Sequence, residues 1–238
     1  MKNYTSIKDI DNINSWIEEA KEMKANPLKN IELGRNKTLG LLFFNSSLRT
    51  RLSTQKAALN LGMNAIVLNV SGDAWGIEFG DGTIMNGTTA EHIKEAAAVI
   101  SQYCDVIAVR AFPTLTDKEK DESEHVLTSF VTFSSVPVIN MESATEHPLQ
   151  GLTDAITISE NTAKKKPKVV LSWAPHVKAL PHAVGNSFVQ AMQKMDVEFV
   201  IANPKGYNLN PEITKDIPIY HNQDEAFKNA DFIYTKNW

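Results

Sequence analysis

Short apolar runs separated by helix-forming stretches constrain this chain more than any other feature. The runs are Thr38 to Phe44, Asn64 to Asn69, Asp105 to Arg110, Val136 to Asn140, Pro167 to Trp173, Val197 to Ala202 and Asp231 to Thr235. Each has the length of a strand buried on both faces. Between them the spacing predicts helices at about Ile7 to Lys24, Leu48 to Leu61, Glu91 to Gln102, Asp121 to Phe133, His147 to Ser159, His182 to Lys194 and Asp224 to Lys228. Alternation of this kind predicts an α/β fold of parallel sheets with helices on both faces, in Rossmann-like units. The linker Lys164 to Pro167 marks a second unit. The expected organisation is a domain at 1–146, a connecting helix at 147–163 and a second domain at 164–238.

The richest point of that alternation is the first handover from strand to helix. Phe43-Phe44-Asn45-Ser46-Ser47-Leu48-Arg49-Thr50-Arg51 places two arginines and several hydroxyls where a strand ends and a helix begins. The unpaired N–H groups and positive dipole end of a helix N-terminus favour anions. Arginine adds planar bidentate donors suited to phosphate. Ser and Thr also serve there as ordinary caps. Cations in a first turn oppose the dipole, however, so the pair favours an oxyanion site.

Ligands of open α/β sheets bind outside the carboxyl ends of the strands. That rule gathers Arg110 after the third run, Glu142, Thr145, His147 and Gln150 after the fourth, His176 and Lys178 after Trp173, and Lys236 with Asn237 after the last. Arg110 either enters the crevice or snorkels to its rim. His147 and Gln150 share one face of a helix start. Thr88-Thr89-Ala90-Glu91 fits a capping box that would open the third helix. The loop from Ser71 to Ala90 is longer than most connections and holds Trp75, which either packs on its own domain or reaches a neighbouring site or subunit.

Composition excludes several classes. Net charge is −4, with 42% hydrophobic and 22% charged residues, so nothing draws the chain to nucleic acid or membrane. A single cysteine, Cys104, rules out an intrachain disulfide. No apolar run reaches membrane-spanning length and the N-terminus lacks a signal-peptide core, so cytoplasm is expected. No nucleophile elbow, Walker A, Gly-x-Gly-x-x-Gly or zinc spacing is present, so no metal and no cofactor is expected. An arginine set beside a His/Gln pair suits direct attack of a bound nucleophile on an acyl phosphate.

Ser47-Leu48-Arg49-Thr50-Arg51 resembles the Ser-x-Arg-Thr-Arg carbamoyl-phosphate motif of the aspartate/ornithine carbamoyltransferases. His147-Pro148-Leu149-Gln150 resembles their His-Pro-x-Gln motif, and Val109-Arg110 their strand-end arginine. Asp73-Ala74-Trp75, Val109-Arg110-Ala111-Phe112, Asn140-Met141-Glu142 and Trp173-Ala174-Pro175-His176 look like the branch acting on N-acylated ornithine. Within that branch, Glu32 to Thr38 and Leu52 to Ala58 look like the N-succinylornithine type of Bacteroides.

The resemblance implies a fold, a reaction and roles. Ser47, Leu48, Arg49, Thr50 and Arg51 would hold the phosphate of carbamoyl phosphate, with Trp75 reaching in from a neighbouring subunit of a homotrimer. Arg110, His147, Gln150 and Thr50 would polarise the carbamoyl oxygen. Glu142 would orient the acylornithine, and His176, Lys178 and Lys236 would surround its acyl group. The product would be N-succinylcitrulline, a step of arginine biosynthesis. N-acetylornithine as acceptor, or a non-catalytic carbamoyl-phosphate-binding module, are the alternatives.

Two departures from the family bear on this. The N-acetylornithine enzymes carry a glutamate at the position of Ala90 and the N-succinylornithine type a proline. Alanine removes a carboxylate that would repel succinate, which favours the succinyl compound. The family also continues past Trp238 with a His-Cys-Leu-Pro segment and C-terminal helices. The second domain is therefore expected to be incomplete, with an unfilled acylornithine site and without the knot of the acylornithine enzymes.

Overall fold

A computed structural model describes residues 2–70, 72 and 76–238. The chain forms two compact units. The first comprises the residues up to Thr5 with Glu22–Ala144, the second Ser6–Lys21 with Thr145–Trp238. The amino-terminal segment 6–21 thus belongs with the second unit, where the sequence pattern put it in the first. Its expected single helix is a 3-10 turn, Ile7–Asp9, followed by α1 (Ile13–Ala25). The break follows from a capping box at the turn, in which Ser6 and Asp9 satisfy each other's backbone N–H groups.

In the first unit the elements run β1 (Thr38–Phe43), α2 (Arg49–Asn60), β2 (Asn64–Asn69), β3 (Gly76–Glu78), β4 (Thr89–His92), α3 (Ile93–Tyr103), β5 (Val106–Arg110), α4 (Lys118–Glu122), α5 (His125–Phe133) and β6 (Val138–Glu142). A parallel sheet has the order β2-β1-β5-β6, and Tyr4 adds a parallel bridge beside Ile139. From β1 the chain moves outward to β2 and returns to β5 on the other side. The switch point therefore lies between the carboxyl ends of β1 and β5. Leu41, Leu42, Ile107, Val109, Phe130 and Val138 are buried around this sheet. Gly40 lets β1 pass close to the buried Cys104, since a Cβ there would sit 2.7 Å from its sulfur.

Three expectations for this unit are corrected. The Thr88 to Glu91 segment is not a capping box: it forms β4, which pairs in parallel with β3. Helix α3 starts at Ile93, where His92 Nδ1 accepts the Lys94 N–H at 3.2 Å and caps the helix instead. The single helix at Asp121 to Phe133 is two, α4 and α5, separated at Glu124, whose φ of 52° is left-handed. Glu124 caps another element, taking the Ser143 hydroxyl at 2.7 Å and the Ala144 N–H at 3.2 Å.

The second unit holds α6 (Pro148–Glu160), β7 (Lys168–Trp173), α7 (Ala183–Gln193), β8 (Glu198–Ala202), β9 (Ile219–Tyr220), α8 (Gln223–Phe227) and β10 (Phe232–Lys236). Its parallel sheet has the order β10-β7-β8-β9, with the switch between β7 and β10. Helix α7 is buried on every side. It lies so close to α6 that a Cβ on Gly151 would meet the Ser187 carbonyl oxygen at 2.7 Å. Among the described residues, no helix is long and apolar enough to cross a membrane.

Candidate active site

The motif Ser47 to Arg51 begins where β1 ends, at the switch point of the first unit. Ser47 Oγ accepts the Thr50 N–H at 3.2 Å, so the serine caps the turn. Leu48 is the N-cap residue of α2 and offers no side-chain acceptor, which leaves the remaining first-turn N–H groups to an external partner. Its own side chain is 75% exposed. Arg49 is exposed and has no ion-pair partner among the described residues. Arg51 is half-buried, with Nη1 3.4 Å from Asn69 Oδ1 at the end of β2. The turn thus carries one exposed arginine in no ion pair among the described residues and one partly held.

Arg110 neither snorkels nor stands free. It is 6% exposed, and its guanidinium is woven into the loop that carries the motif. Nη1 donates to the carbonyl oxygens of Asn45 at 2.9 Å and Ser46 at 3.0 Å. Nη2 donates to Glu142 Oε2 at 3.1 Å, and the group stacks 4.1 Å from the Phe112 ring centre. The register explains the pairing. Val109 faces Asn140, yet Arg110 faces Glu142, so β6 bulges by one residue and brings the carboxylate beside the guanidinium. Asn45 closes the ring by accepting the Phe112 N–H through Oδ1 at 2.6 Å. Arg110 Nε is buried with no hydrogen-bond partner among the described residues. Three strand ends, β1, β5 and β6, are thus tied around one guanidinium before any ligand arrives.

In the second unit the turn before α6 is anchored on α7. The His147 N–H donates to Ser187 Oγ at 2.7 Å, and Asn186 Nδ2 to the Thr145 carbonyl at 3.0 Å. Glu146 accepts the Ser187 hydroxyl at 3.0 Å and Gln190 Nε2 at 2.6 Å. The polar residues of α7 therefore satisfy the strand-to-helix turn that presents His147 and Gln150.

Gln150 is not a free donor. Its Nε2 donates at 2.8 Å to Oδ1 of Asp154, one turn along α6. Asp154 is 8% exposed, and its Oδ2 is buried with no partner at hydrogen-bond length among the described residues. Burial pushes this carboxyl up to about 6, against the opposing pull of Gln150 and the Tyr234 hydroxyl on β10. Burial, and then the Asp154 charge, push the Tyr234 phenol upward in turn. Periodicity alone reads Asp154 as an ordinary helix residue; its spacing of one turn from Gln150 is the signal that could have found it.

At the switch point of the second unit, the Ala174 N–H donates to the Lys236 carbonyl at 3.0 Å and Asn237 Nδ2 to the Ala174 carbonyl at 2.9 Å. His176 and Lys178 lie exposed in the following loop, where the Lys178 N–H reaches His176 Nδ1 at 3.1 Å. A cleft of about 460 Å³ opens beside them, lined by residues that include Trp173, Pro175, Asn203, His221 and Gln223. None of His176, Lys178 and Lys236 lines it. Ala90 is exposed on β4 rather than in a loop. Asp73, Ala74 and Trp75 lie outside the described residues. Among the described residues no group of three or more His, Cys, Asp or Glu side chains is placed to hold a metal ion.

Comparison with known proteins agrees with this arrangement. Residues 2–160 match the model of the aspartate/ornithine carbamoyltransferase, carbamoyl-P binding domain. The chain is 50% identical, over all 238 residues, to N-succinylornithine carbamoyltransferase of Bacteroides fragilis (strain 638R), covering 75% of that protein. It is 39% identical over 219 residues to N-acetylornithine carbamoyltransferase of Xanthomonas campestris pv. campestris, covering 86% of this chain and 64% of that one. Among solved structures, a Glu-to-Ala variant of N-acetyl-L-ornithine transcarbamylase complexed with carbamyl phosphate and N-succinyl-L-norvaline superposes with a TM-score of 0.94 at 36% identity. That match covers 100% of this chain and 76% of the other. With parallel α/β sheets, the phosphate-type turn at a switch point and these matches in hand, the chain belongs to the aspartate/ornithine carbamoyltransferase family.

Proposed function

We propose that the protein transfers the carbamoyl group of carbamoyl phosphate to the δ-amine of N-succinylornithine, giving N-succinylcitrulline and phosphate. The observation that carries this reading is the match over the full chain, at 50% identity, to an N-succinylornithine carbamoyltransferase, with every motif residue of the Ser47 to Arg51 turn in place. Ser47, Arg49, Thr50 and Arg51 hold the phosphate, joined by the first-turn N–H groups from Leu48 onward. Thr50, Arg110 and His147 stabilise the carbamoyl oxygen as charge develops on it. The amine nitrogen attacks the carbonyl carbon, the bond from carbon to the bridging oxygen breaks, phosphate departs with the electron pair, and the amine loses a proton. Glu142 orients the acylornithine, and His176, Lys178 and Lys236 offer cations or donors to its acyl group. Trp75 serves the site of a neighbouring subunit in a homotrimer, and the reaction belongs to arginine biosynthesis in the cytoplasm.

N-acetylornithine is the second reading, favoured by the likeness to N-acetyl-L-ornithine transcarbamylase, including a complex with acetylcitrulline at TM-score 0.93 and 36% identity. Ala90 tips the choice toward succinyl. The Glu-to-Ala variant of that relative was solved with a succinyl compound, and alanine here leaves no carboxylate to repel a second one. The deciding experiment is a ureido-product assay with carbamoyl phosphate and each acylornithine. Higher turnover with N-succinylornithine supports the proposal. Equal or better turnover of N-acetylornithine refutes the succinyl assignment, and carbamoyl phosphate binding with no ureido product from either leaves only a binding module.

A further inference from the structure

The cleft of the second unit takes no part in the proposed reaction, and the hydrogen-bonding character of its lining is one-sided. It lies at the carboxyl ends of β7, β8 and β9, where open α/β sheets take their ligands. Its volume of about 460 Å³ suits a small molecule. Gln223 Nε2 donates to Ser172 Oγ at 2.8 Å and to the Trp173 carbonyl at 3.0 Å. A carbonyl only accepts, so the amide's orientation is fixed and its other end is the acceptor Oε1. His221 Nδ1 lies 2.8 Å from the Asn203 carbonyl and must donate to it, which makes Nε2 of the neutral ring an acceptor. Asn203 Nδ2 donates to Asn208 Oδ1 at 2.8 Å and to the Pro204 carbonyl at 2.9 Å. This residue is 3% exposed, and its Oδ1 has no partner among the described residues. Asp224 adds an exposed carboxylate in no ion pair among the described residues.

Against these acceptors the lining sets one side-chain amide donor, Asn222 Nδ2, whose Oδ1 caps α8 by accepting the Asp224 N–H at 2.9 Å. Trp173 supplies an aromatic ring. It is steadied by the Tyr207 ring, 4.8 Å away between centres, and by Nε1 donating to the Trp238 carbonyl at 3.3 Å. A wall of acceptors with one carboxylate and one fixed ring calls for a planar cation that carries only donors. Guanidinium has five N–H donors, no acceptor and a face that stacks on aromatic rings. A primary ammonium has three donors, no plane to stack and a tighter hydration shell to lose. We propose that this cleft is a second ligand site, which takes a small molecule bearing a guanidinium group beside the Trp173 ring, with Asp224, Gln223 Oε1 and His221 Nε2 accepting its N–H groups. The inference goes beyond the carbamoyltransferase reading and does not rest on it, because none of these residues serves carbamoyl phosphate or the acylornithine there.

The test is calorimetry on the full chain with n-butylguanidinium, n-butylammonium and n-butylurea, the last being the uncharged isostere of the first. Butylguanidinium should bind about tenfold more tightly than butylurea, and more tightly than butylammonium. Asp224→Asn keeps the shape and removes the charge, so the preference over butylurea should fall by about threefold or more. Asp224→Lys sets a cation against the ligand and should abolish binding. Both variants alter an exposed side chain, and amide spectra matching wild type elsewhere in the chain would show that they fold.

A measurement on wild type alone locates the ligand. The Gln223 side-chain amide and Trp173 indole N–H resonances should move as butylguanidinium is titrated in. Arginine and Nα-acetylarginine methylamide then separate a free compound from a guanidinium presented on a peptide. Arginine bound at least as tightly as the peptide mimic supports the small-molecule assignment, and tighter binding of the mimic overturns it. Absence of saturable butylguanidinium binding, equal binding of butylurea, affinity unchanged in Asp224→Lys, or shifts confined to residues away from Gln223 and Trp173 overturns the site itself.

Discussion

Arg110→Met is the sharpest probe of how the phosphate-type turn is built. The substitution keeps much of the side chain's bulk while deleting the guanidinium. It removes donors from the Asn45 and Ser46 carbonyls and from Glu142, whose side chain is only 12% exposed. Removing one partner of a buried pair costs about 3–5 kcal/mol, because the other charge is left in a poor solvent. Native-state hydrogen exchange reads that cost locally. The reporter amides are Phe44, bonded to the Arg110 carbonyl, Ala111, bonded to the Glu142 carbonyl, and Phe112, bonded to Asn45 Oδ1. Their protection should fall by about 10² to several times 10³-fold, at roughly tenfold per 1.4 kcal/mol. Adding Glu142→Gln removes the carboxylate charge that has lost its guanidinium and should recover about half of the lost protection, since a neutral amide tolerates burial better than a charged carboxylate. If Arg110→Met changes protection less than about fivefold, or Glu142→Gln deepens the loss, the guanidinium is not the tie that holds these strand ends.

Other substitutions separate binding from folding. Arg49→Ala should abolish measurable carbamoyl phosphate binding by calorimetry while unfolding stability stays within about 0.5 kcal/mol, because the exposed side chain has no ion-pair partner among the described residues. Gly151→Ala should destabilise by about 1–3 kcal/mol, read by urea titration, because the new methyl would sit 2.7 Å from the Ser187 carbonyl oxygen and must push α6 from α7. Asp154 predicts a pH dependence with a definite sign. Its carboxyl rises from an ordinary 3.8 to about 6 on folding, so between those values the native state binds the extra proton. Stability should therefore fall as pH rises through that window, by about 3 kcal/mol at most, and the loss should be complete above it. Measured as the difference from Asp154→Asn, so that other groups cancel, wild type should lose ground between pH 4 and pH 7. A flat difference would refute the raised value.

The parallel sheets were legible because strands buried on both faces leave continuous apolar runs, as at Leu39 to Phe43 and Val169 to Leu171. The motif turn was legible because arginines at a helix start are costly without an anion. What escaped the sequence depended on partners distant in the chain. β3 and β4 are short strands that, among the described residues, pair only with each other, so neither shows a run long enough to read. β9 holds just Ile219 and Tyr220 and exists through its pairing with β8. The full burial of α7 was hidden by its polar residues, which look like an exposed face until Glu146 and Thr145 are found to take their hydrogen bonds. Thr88 to Glu91 had the letters of a capping box, but pairing with β3 held the segment extended and passed the cap to His92.

These misses share a physical origin that also explains how the motif works. The residues a motif names are those that meet the ligand, and their chemistry is visible in their type. The residues that aim them are chosen for geometry, so their type alone says little. On the proposed reading Arg110 belongs to both groups: its Nη1 and Nη2 hold the turn, while its buried Nε has no partner among the described residues. On that reading Arg49 belongs only to the first, since it enters no ion pair among the described residues. The division has an energetic consequence. Ordering a free arginine costs about 1.5–2 kcal/mol of side-chain entropy, whereas a guanidinium already bonded at both ends has little freedom left to lose. Affinity for the anion should therefore hinge on Arg49 and on the first-turn N–H groups of α2 that Ser47 does not take, and the precision of the site on Arg110, Asn45 and the bulge that sets Glu142 beside them.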